Sequence, residues 1–212
     1  MGATVRQVLH VGCGPATLES MPSFFHSGEW EEVRLDIDMT VAPDVVGTIL
    51  DMGIIANGSV DAVFSSHNIE HVYPHEVGQA LQEFRRVLHD DGLAVVRCPD
   101  IQSVAQVVGE GRLMDVLYVS PAGPISAIDI MYGHRAAIQG GNLFMSHKTA
   151  FTADTLAKHL KDAGFEMVIV ARDRIFGLHA IAYCRQVDEL VAERDCALCF
   201  PALEGILGVV RY

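Results

Sequence analysis

The chain has 212 residues, half of them hydrophobic, and its 15 basic against 27 acidic side chains give a formal net charge of −12. This length and composition predict a single soluble domain with a substantial core. The acidic balance argues against nucleic-acid and anionic-membrane partners, which need clustered Lys and Arg. No stretch approaches the roughly 20 apolar residues of a membrane span, and no N-terminal segment has the pattern of a signal peptide. The five cysteines, an odd number, predict reduced thiols in a cytoplasmic protein.

Strand and helix patterns alternate along most of the chain. Helical periodicity covers residues 15–25, interrupted near Pro22, then 77–88, ended by Gly92, and then runs from the N-cap Thr152 to about residue 163. The alternation predicts an α/β fold with a mostly parallel sheet, helices on both faces and an antiparallel strand at its end. The seven predicted strands cover residues 7–11, 33–37, 45–46, 60–64, 93–97, 165–171 and 179–184.

Residues 109–150 interrupt this alternation. They contain six glycines together with Pro121 and Pro124, but also apolar runs that favour an ordered insertion over a disordered linker. We expect this insertion to cover a substrate site. Residues 186–212 are predicted to form a C-terminal tail. The whole chain, 1–212, is therefore predicted to be one domain with an insertion and a tail.

The first predicted strand ends in a turn, Gly12-Cys13-Gly14, where the backbone bends sharply or approaches a ligand closely. A dinucleotide fingerprint would require a third glycine at the position of Thr17, and the phosphate-cradling pattern Gly-x-x-x-x-Gly-Lys is absent from the sequence. Carboxylates follow the second strand and are suited to ribose hydroxyls. The combination predicts a nucleoside ligand that carries no pyrophosphate.

Four segments of the sequence, residues 11–15, 35–38, 59–71 and 84–92, match the motifs of a known family in their order and spacing. Through these segments the sequence resembles, across about residues 7–100, the class I S-adenosylmethionine-dependent methyltransferases, close to the group labelled type 11. The resemblance implies a Rossmann-like methyltransferase fold with a seven-stranded sheet. The chain departs from the family at three positions: His10 replaces a usual Asp or Glu, Ala16 a frequent Gly, and Thr48 a usual acidic residue.

The resemblance implies S-adenosylmethionine as cofactor and S-adenosylhomocysteine as product. Gly12 and Gly14 would lie under the amino-acid end of the cofactor, and either Asp36 or Asp38 would bind the ribose. The remaining implied cofactor residues are His10, Cys13 through its backbone, Asp51 and the Met52 backbone for adenine, and Ser66 and His67 after the fourth strand.

A hydroxyl or protonated-amine acceptor needs a base during methyl transfer, and histidine titrates near neutral pH. His67, His134 and His147 are therefore the candidate catalytic residues. We predict a small-molecule acceptor, methylated on oxygen or nitrogen. The candidate acceptor-binding residues lie in the insertion and are Tyr132, Arg135, Asn142 and Lys148, of which the two cations are suited to a carboxylate or phosphate.

Several alternatives stay open at this point. The pattern His67-x-x-Glu70-His71 matches an inverted zinc-protease signature, but that signature belongs on a helix and His67 directly follows a predicted strand, so no metal is expected. The single pair Cys196 and Cys199 suggests packing of the tail, with a homodimer as one option. His10 and Thr48 keep a non-catalytic nucleoside-binding sensor or assembly subunit under consideration.

Overall fold

The computed structural model describes residues 5–200 and 206–212. The helices are α1 (Val77–Val87), α2 (Ile101–Gly109), α3 (Ala127–Tyr132), α4 (Arg135–Gln139), α5 (Ala153–Asp162) and α6 (Glu189–Cys199). The strands are β1 (Arg6–Val11), β2 (Trp30–Asp36), β3 (Val45–Val46), β4 (Val60–Ser66), β5 (Leu88–Pro99), β6 (Val116–Ser120), β7 (Gly123–Ser126), β8 (Met167–Asp173), β9 (Gly177–Tyr183) and β10 (Ile206–Arg211).

The main sheet has the strand order β10-β8-β9-β5-β4-β1-β2-β3. The pairs from β3 to β5 are parallel, whereas β9 runs antiparallel to both β5 and β8. This arrangement confirms the predicted Rossmann-like fold and its antiparallel closure. An eighth strand, β10, lies in the segment predicted as a tail and pairs antiparallel with β8. The strand order reverses beside β1, which is where ligands bind in open α/β sheets.

Apolar cores cover both faces of the sheet. On one face, α1 and α5 bury side chains such as Phe84 and Leu156. On the other face, Phe25 and Trp30 pack with Ala192 of α6. Helix α6, which lies in the C-terminal segment, therefore covers the apolar side chains on this face of the sheet. Burial of this apolar area supplies most of the free energy that stabilises the fold.

The chain after the glycine turn differs from its prediction. The sequence predicted helical structure over residues 15–25 with an interruption near Pro22. The interruption is present, but the helical pieces are two short 3-10 helices, Leu18–Ser20 and Ser23–Phe25. Pro22 lacks an N–H group and disfavours helical dihedrals at the residue before it, and Met21 is accordingly extended, with φ −74° and ψ 170°.

Gly92 also has a different role from the predicted one. Helix α1 ends at Val87 and the chain enters β5 at once, so Gly92 lies inside the strand and does not end the helix. A β-carbon on Gly92 would lie 3.0 Å from the Asp61 carbonyl oxygen. Glycine is therefore needed here for close packing of β5 against β4, where the strand register shifts.

The insertion is ordered, as expected. Its hairpin of β6 and β7 and its helix α3 pack on α2 through a third apolar cluster that includes Val104, Ile125 and Ile130. Over residues 5–200 and 206–212, no helix is both long and apolar enough to cross a membrane.

Candidate active site

The turn after β1 packs directly against the loop after β4. Gly12 and Gly14 have φ values of 61° and 53°, in the left-handed region that favours glycine. A β-carbon on Gly12 would lie 2.3 Å from Cγ of Asn68, so only glycine lets the two loops approach this closely. The Asn68 Nδ2 group is buried and has no hydrogen-bond partner among the described residues. Sequence reasoning passed over Asn68 although it lies within the fourth-strand motif.

Asp36 holds the turn against the end of β2. Its Oδ2 accepts a hydrogen bond of 2.7 Å from the Gly14 N–H, and its Oδ1 accepts one of 2.8 Å from the Asp38 N–H. Asp36 is only 9% exposed, whereas the Asp38 side chain reaches solvent and caps the short helix Met39–Val41 through Thr40. The two carboxylates therefore share one edge of the sheet but have very different environments.

Arg34 fixes the same turn from β2. Its Nη2 donates to the Gly14 carbonyl at 2.6 Å and its Nε to the Ala16 carbonyl at 3.2 Å, while Nη1 donates to Ala42 at 3.0 Å. One guanidinium thus joins the loop after β1 to the loop after β2. No sequence pattern indicates this role, because an arginine in a half-buried strand is ordinarily interpreted as a solvent-facing residue.

His10 lies in β1 immediately before the turn and is 3% exposed. Its Nδ1–H donates to Glu32 Oε1 at 2.7 Å, and Oε2 of Glu32 accepts from the Leu18 N–H at 2.8 Å. Burial lowers the pKa of His10 despite the neighbouring carboxylate. His10 therefore links β1 through Glu32 to the segment that follows the turn.

Cys13 occupies the middle of the turn and is buried. Its N–H donates to the Leu35 carbonyl at 3.2 Å, and burial raises the pKa of its thiol to about 11. A neutral buried thiol is a packing group and a poor nucleophile.

The residues expected to contact adenine lie in the loop after β3. The Asp51 side chain is exposed, and its Oδ1 accepts from the Gly53 N–H at 3.0 Å. Met52 is fully buried, its N–H donates to Glu83 at 2.7 Å, and its carbonyl accepts from Arg86 at 2.9 Å. The polar backbone groups of Met52 are therefore already engaged within the chain.

A cavity of about 400 Å³ opens beside the carboxyl ends of β4 and β5, between the β6–β7 hairpin and the turn that joins β8 to β9. Ser66 and His67 line it at the end of β4. The other polar and aromatic side chains in its wall are Arg97, Tyr118, Ser120, Asp173, Phe176 and His179.

Charged groups of the cavity wall are held by defined partners. His179 Nε2–H donates to Asp173 Oδ2 at 2.7 Å. Burial would raise the pKa of Asp173, but this bond and the N–H groups of Gly177 and Ile175 outweigh burial and lower it. Arg97 Nη2 donates to the Cys199 carbonyl at 2.9 Å, and its Nε has no partner in the part of the chain that is described. Sequence reasoning missed these residues because they come together only when β9 inserts beside β5.

His67 has an unusual backbone conformation at the cavity wall. Its φ of 50° is in the left-handed region, which is strained for a residue with a β-carbon, and its N–H donates to the Arg97 carbonyl at 2.9 Å. Its side chain is 61% exposed. Strained residues of this kind concentrate at functional sites.

The candidate acceptor residues of the insertion lie elsewhere. Tyr132 and Asn142 are exposed, and Lys148 lies over the ring of Tyr73 at 4.8 Å. Arg135 forms an ion pair with Asp129 at 2.6 Å. The described residues that line the cavity include none of these four residues, and they include neither His134 nor His147.

Residues 9–96 match a family model described as a methyltransferase domain. That part of the chain is similar to a methyltransferase domain. A search of the curated proteins gave no significant match.

Solved structures share the fold of this chain. A SAM-dependent methyltransferase from Archaeoglobus fulgidus is 15% identical, with a TM-score of 0.54, over 84% of this chain and 86% of that one. The PH0226 protein from Pyrococcus horikoshii is 14% identical, with a TM-score of 0.56, over 84% and 81% of the two chains. A 1,6-didemethyltoxoflavin N1-methyltransferase from Burkholderia thailandensis, solved with 1,6-didemethyltoxoflavin and S-adenosylhomocysteine, is 14% identical, with a TM-score of 0.53, over 84% and 70%.

Proposed function

We propose that this protein is a methyltransferase, which transfers the methyl group of S-adenosylmethionine to an oxygen or nitrogen of a small molecule bound in the cavity beside β4 and β5. The position of the cavity carries this proposal. Ser66 and His67 belong both to the expected cofactor site and to the cavity wall, so the two sites adjoin at the end of β4. A volume of about 400 Å³ is in the range of small-ligand pockets.

The residues of the glycine turn are suited to the cofactor. Gly12 and Gly14 would lie under its amino-acid end, and the unpartnered Nδ2 of Asn68 offers a buried donor for its carboxylate. Asp36 is the better ribose acceptor of the two aspartates, because its position is fixed by backbone N–H groups. Asp51 and Met52 would flank the adenine, and His10 and Cys13 would support the turn from behind.

When bound, the cofactor supplies an electrophilic methyl group on a sulfonium, and the protein contributes position and exclusion of water. His67 is the proposed general base, because it is the candidate histidine that lines the cavity and its side chain is accessible there. Arg97, Asp173 and His179 provide the charged and hydrogen-bonding groups that would orient a polar acceptor. Roles for Tyr132, His134, Arg135, Asn142 and Lys148 remain predictions that require an acceptor extending beyond the cavity.

Further support comes from the 1,6-didemethyltoxoflavin N1-methyltransferase of Burkholderia thailandensis, which has this fold and was solved with bound 1,6-didemethyltoxoflavin and S-adenosylhomocysteine. A small-molecule acceptor without nucleic-acid or membrane partners agrees with the net charge of −12. Cytoplasmic location and a homodimer complete the proposal. A purely binding function is the second candidate, favoured by the replacement of a usual acidic residue by His10.

The test has two stages. S-adenosylhomocysteine should raise the melting temperature, because a ligand that binds only the native state stabilises it. Labelled S-adenosylmethionine incubated with a panel of hydroxyl and amine metabolites should then transfer label to a small molecule. Absence of the thermal shift would refute the cofactor site, and a shift without transfer to any acceptor would favour the binding function.

The base is tested with His67→Asn, since asparagine tolerates the left-handed conformation. Because His67 Nδ1 lies 3.3 Å from Oε1 of the buried Glu70, urea unfolding first establishes that the variant is folded. We expect kcat to fall by about 100-fold or more while S-adenosylhomocysteine still raises the melting temperature of the variant. His89→Asn, at an exposed position in β5, is the matched control. Full turnover in the His67 variant would remove His67 from the chemistry.

A further inference from the structure

Glu70 is a buried carboxylate without hydrogen-bond partners. It lies in the short helix Ile69–His71 after β4 and is 1% exposed. Among the residues that the structure describes, neither of its carboxylate oxygens has a hydrogen-bond partner. Its nearest charged neighbour is His67, whose Nδ1 lies 3.3 Å from Glu70 Oε1. Burial of a carboxylate without full hydrogen bonding is costly, so a further cation beside Glu70 would stabilise it.

Two histidines face this carboxylate from different parts of the chain. His71 is the next residue, and His147 comes from the insertion, with its Nε2 lying 4.0 Å from Glu70 Oε1. One donor atom each from Glu70, His71 and His147 lies within 4.8 Å of the other two. The two imidazole rings meet edge to face, with centroids 4.9 Å apart.

Hydrogen bonds on the far side of each ring select the tautomer. His71 Nδ1 lies 3.0 Å from the Ser146 carbonyl oxygen, and His147 Nδ1 lies 2.8 Å from the Ile130 carbonyl oxygen. A carbonyl oxygen only accepts, so each Nδ1 carries the proton and each neutral ring has its lone pair on Nε2. Metal-binding histidines are oriented in this way by backbone carbonyls.

We propose that Glu70, His71 and His147 form a binding site for one divalent transition-metal ion. The site brings together two imidazole lone pairs and a carboxylate, all electron-pair donors, and a cation at their centre would pair with all three. Two imidazoles and one carboxylate suit Zn²⁺ and its neighbours in the first transition row, whereas Mg²⁺ and Ca²⁺ prefer oxygen ligands alone. Metal–ligand bonds of about 2.0–2.2 Å would draw the three donors together by roughly 1 Å.

The ion would link the insertion to the loop after β4, because it would be bound by residues of both. His147 comes from the insertion, and the adjacent Lys148 N–H already donates to the Glu70 carbonyl at 2.8 Å. Ile130, whose carbonyl orients His147, also lines the acceptor cavity. Metal binding would therefore stabilise the wall of the cavity and its junction with the loop after β4.

This assignment differs from the interpretation of the sequence signature. The sequence pattern pairs His67 with His71 and makes Glu70 a base, and the methyltransferase motif accounts for the same residues without a metal. In the structure His67 Nδ1 lies 3.3 Å from Glu70 Oε1 on the cavity side, and the second imidazole of the proposed site comes from His147.

The test is metal binding by the full chain, with a readout that does not depend on methyl transfer. Protein stripped with a chelator and dialysed is titrated with Zn²⁺ by calorimetry, and metal content is measured by mass spectrometry. We expect one ion per chain and a melting temperature that falls on chelation. Glu70→Gln and His147→Gln should each weaken Zn²⁺ binding by about 100-fold or more, because even the partners of metal ligands contribute 10- to 100-fold.

His89→Ala is the matched control, because it removes an exposed histidine from β5, away from the cluster. Circular dichroism establishes that each variant is folded before titration. Lack of stoichiometric Zn²⁺ binding by the wild type would overturn the proposal, as would Zn²⁺ affinity that survives both substitutions in the cluster. Because these measurements need neither cofactor nor acceptor, their result is independent of the proposed methyl transfer.

Discussion

Substitution of Gly12 by alanine should be far more damaging than substitution of Gly14, although both glycines have a positive φ. A β-carbon on Gly12 would lie 2.3 Å from Asn68 Cγ, whereas a β-carbon on Gly14 would meet no described atom within 4 Å. The pair therefore separates the cost of backbone strain from the cost of collision with Asn68.

The magnitudes follow from these two contributions. An alanine in the left-handed region costs about 1–2 kcal/mol, and this alone should lower the free energy of unfolding of Gly14→Ala. Gly12→Ala adds the cost of displacing Asn68 from a packed position, typically about 1–3 kcal/mol. Its total loss is then about 2–5 kcal/mol, a large part of the stability of an ordinary domain.

The assay is urea unfolding of the protein without cofactor, extended to a double-mutant cycle with Asn68→Ala. Removal of the Asn68 amide clears the space, so Gly12→Ala should cost only the backbone strain in that background. The same cycle applied to Gly14 should show no coupling to Asn68. Equal costs for the two glycine variants, or a Gly12 cost that does not depend on Asn68, would refute the reasoning.

Two further predictions concern ionisable side chains. The Asp129 carboxylate is buried and receives hydrogen bonds from Arg135 and Ser126, which outweigh burial and hold its pKa well below the ordinary value of 3.8. Wild type should therefore have a free energy of unfolding about 1–3 kcal/mol larger than that of Asp129→Asn near neutral pH. Urea unfolding from pH 7 to pH 3 should show this difference shrinking as the pH falls below about 4. A difference that stays constant over this pH range would contradict the prediction. Because the pKa of Cys13 is raised to about 11, iodoacetamide at pH 8 should alkylate Cys13 about 100-fold more slowly in native than in urea-unfolded protein. Peptide mass spectrometry measures both rates. Equal rates would show that the Cys13 thiol is accessible in the native protein and would contradict the prediction.

Local sequence patterns predicted the sheet well because the spacing of apolar residues along a strand follows directly which side chains are buried. The alternation of Val33 and Leu35 with polar residues and the apolar run from Val60 to Phe64 identify strands whatever they pair with. The helical pattern after the glycine turn yields only two 3-10 helices, because the predicted interruption at Pro22 leaves too few residues on either side for a stable α-helix. Strand β10 was not predicted, because it forms by pairing with the free edge of β8, and the local sequence does not show that this edge is available.

The glycine turn and the carboxylates after the second strand were predicted from the sequence, because the carboxyl ends of neighbouring parallel strands lie at one edge of a sheet. The sequence by itself therefore determined the fold class, the methyltransferase resemblance and the placement of Gly12 and Gly14 beside Asp36 or Asp38. The tertiary structure alone decided which distant side chains share a space. It placed Asn68 against Gly12, joined Arg97 to His179 across β5 and β9, and brought His147 to Glu70. The physical reason is that such contacts depend on strand register and on how the insertion packs, and neither is encoded in the spacing of residues along the chain.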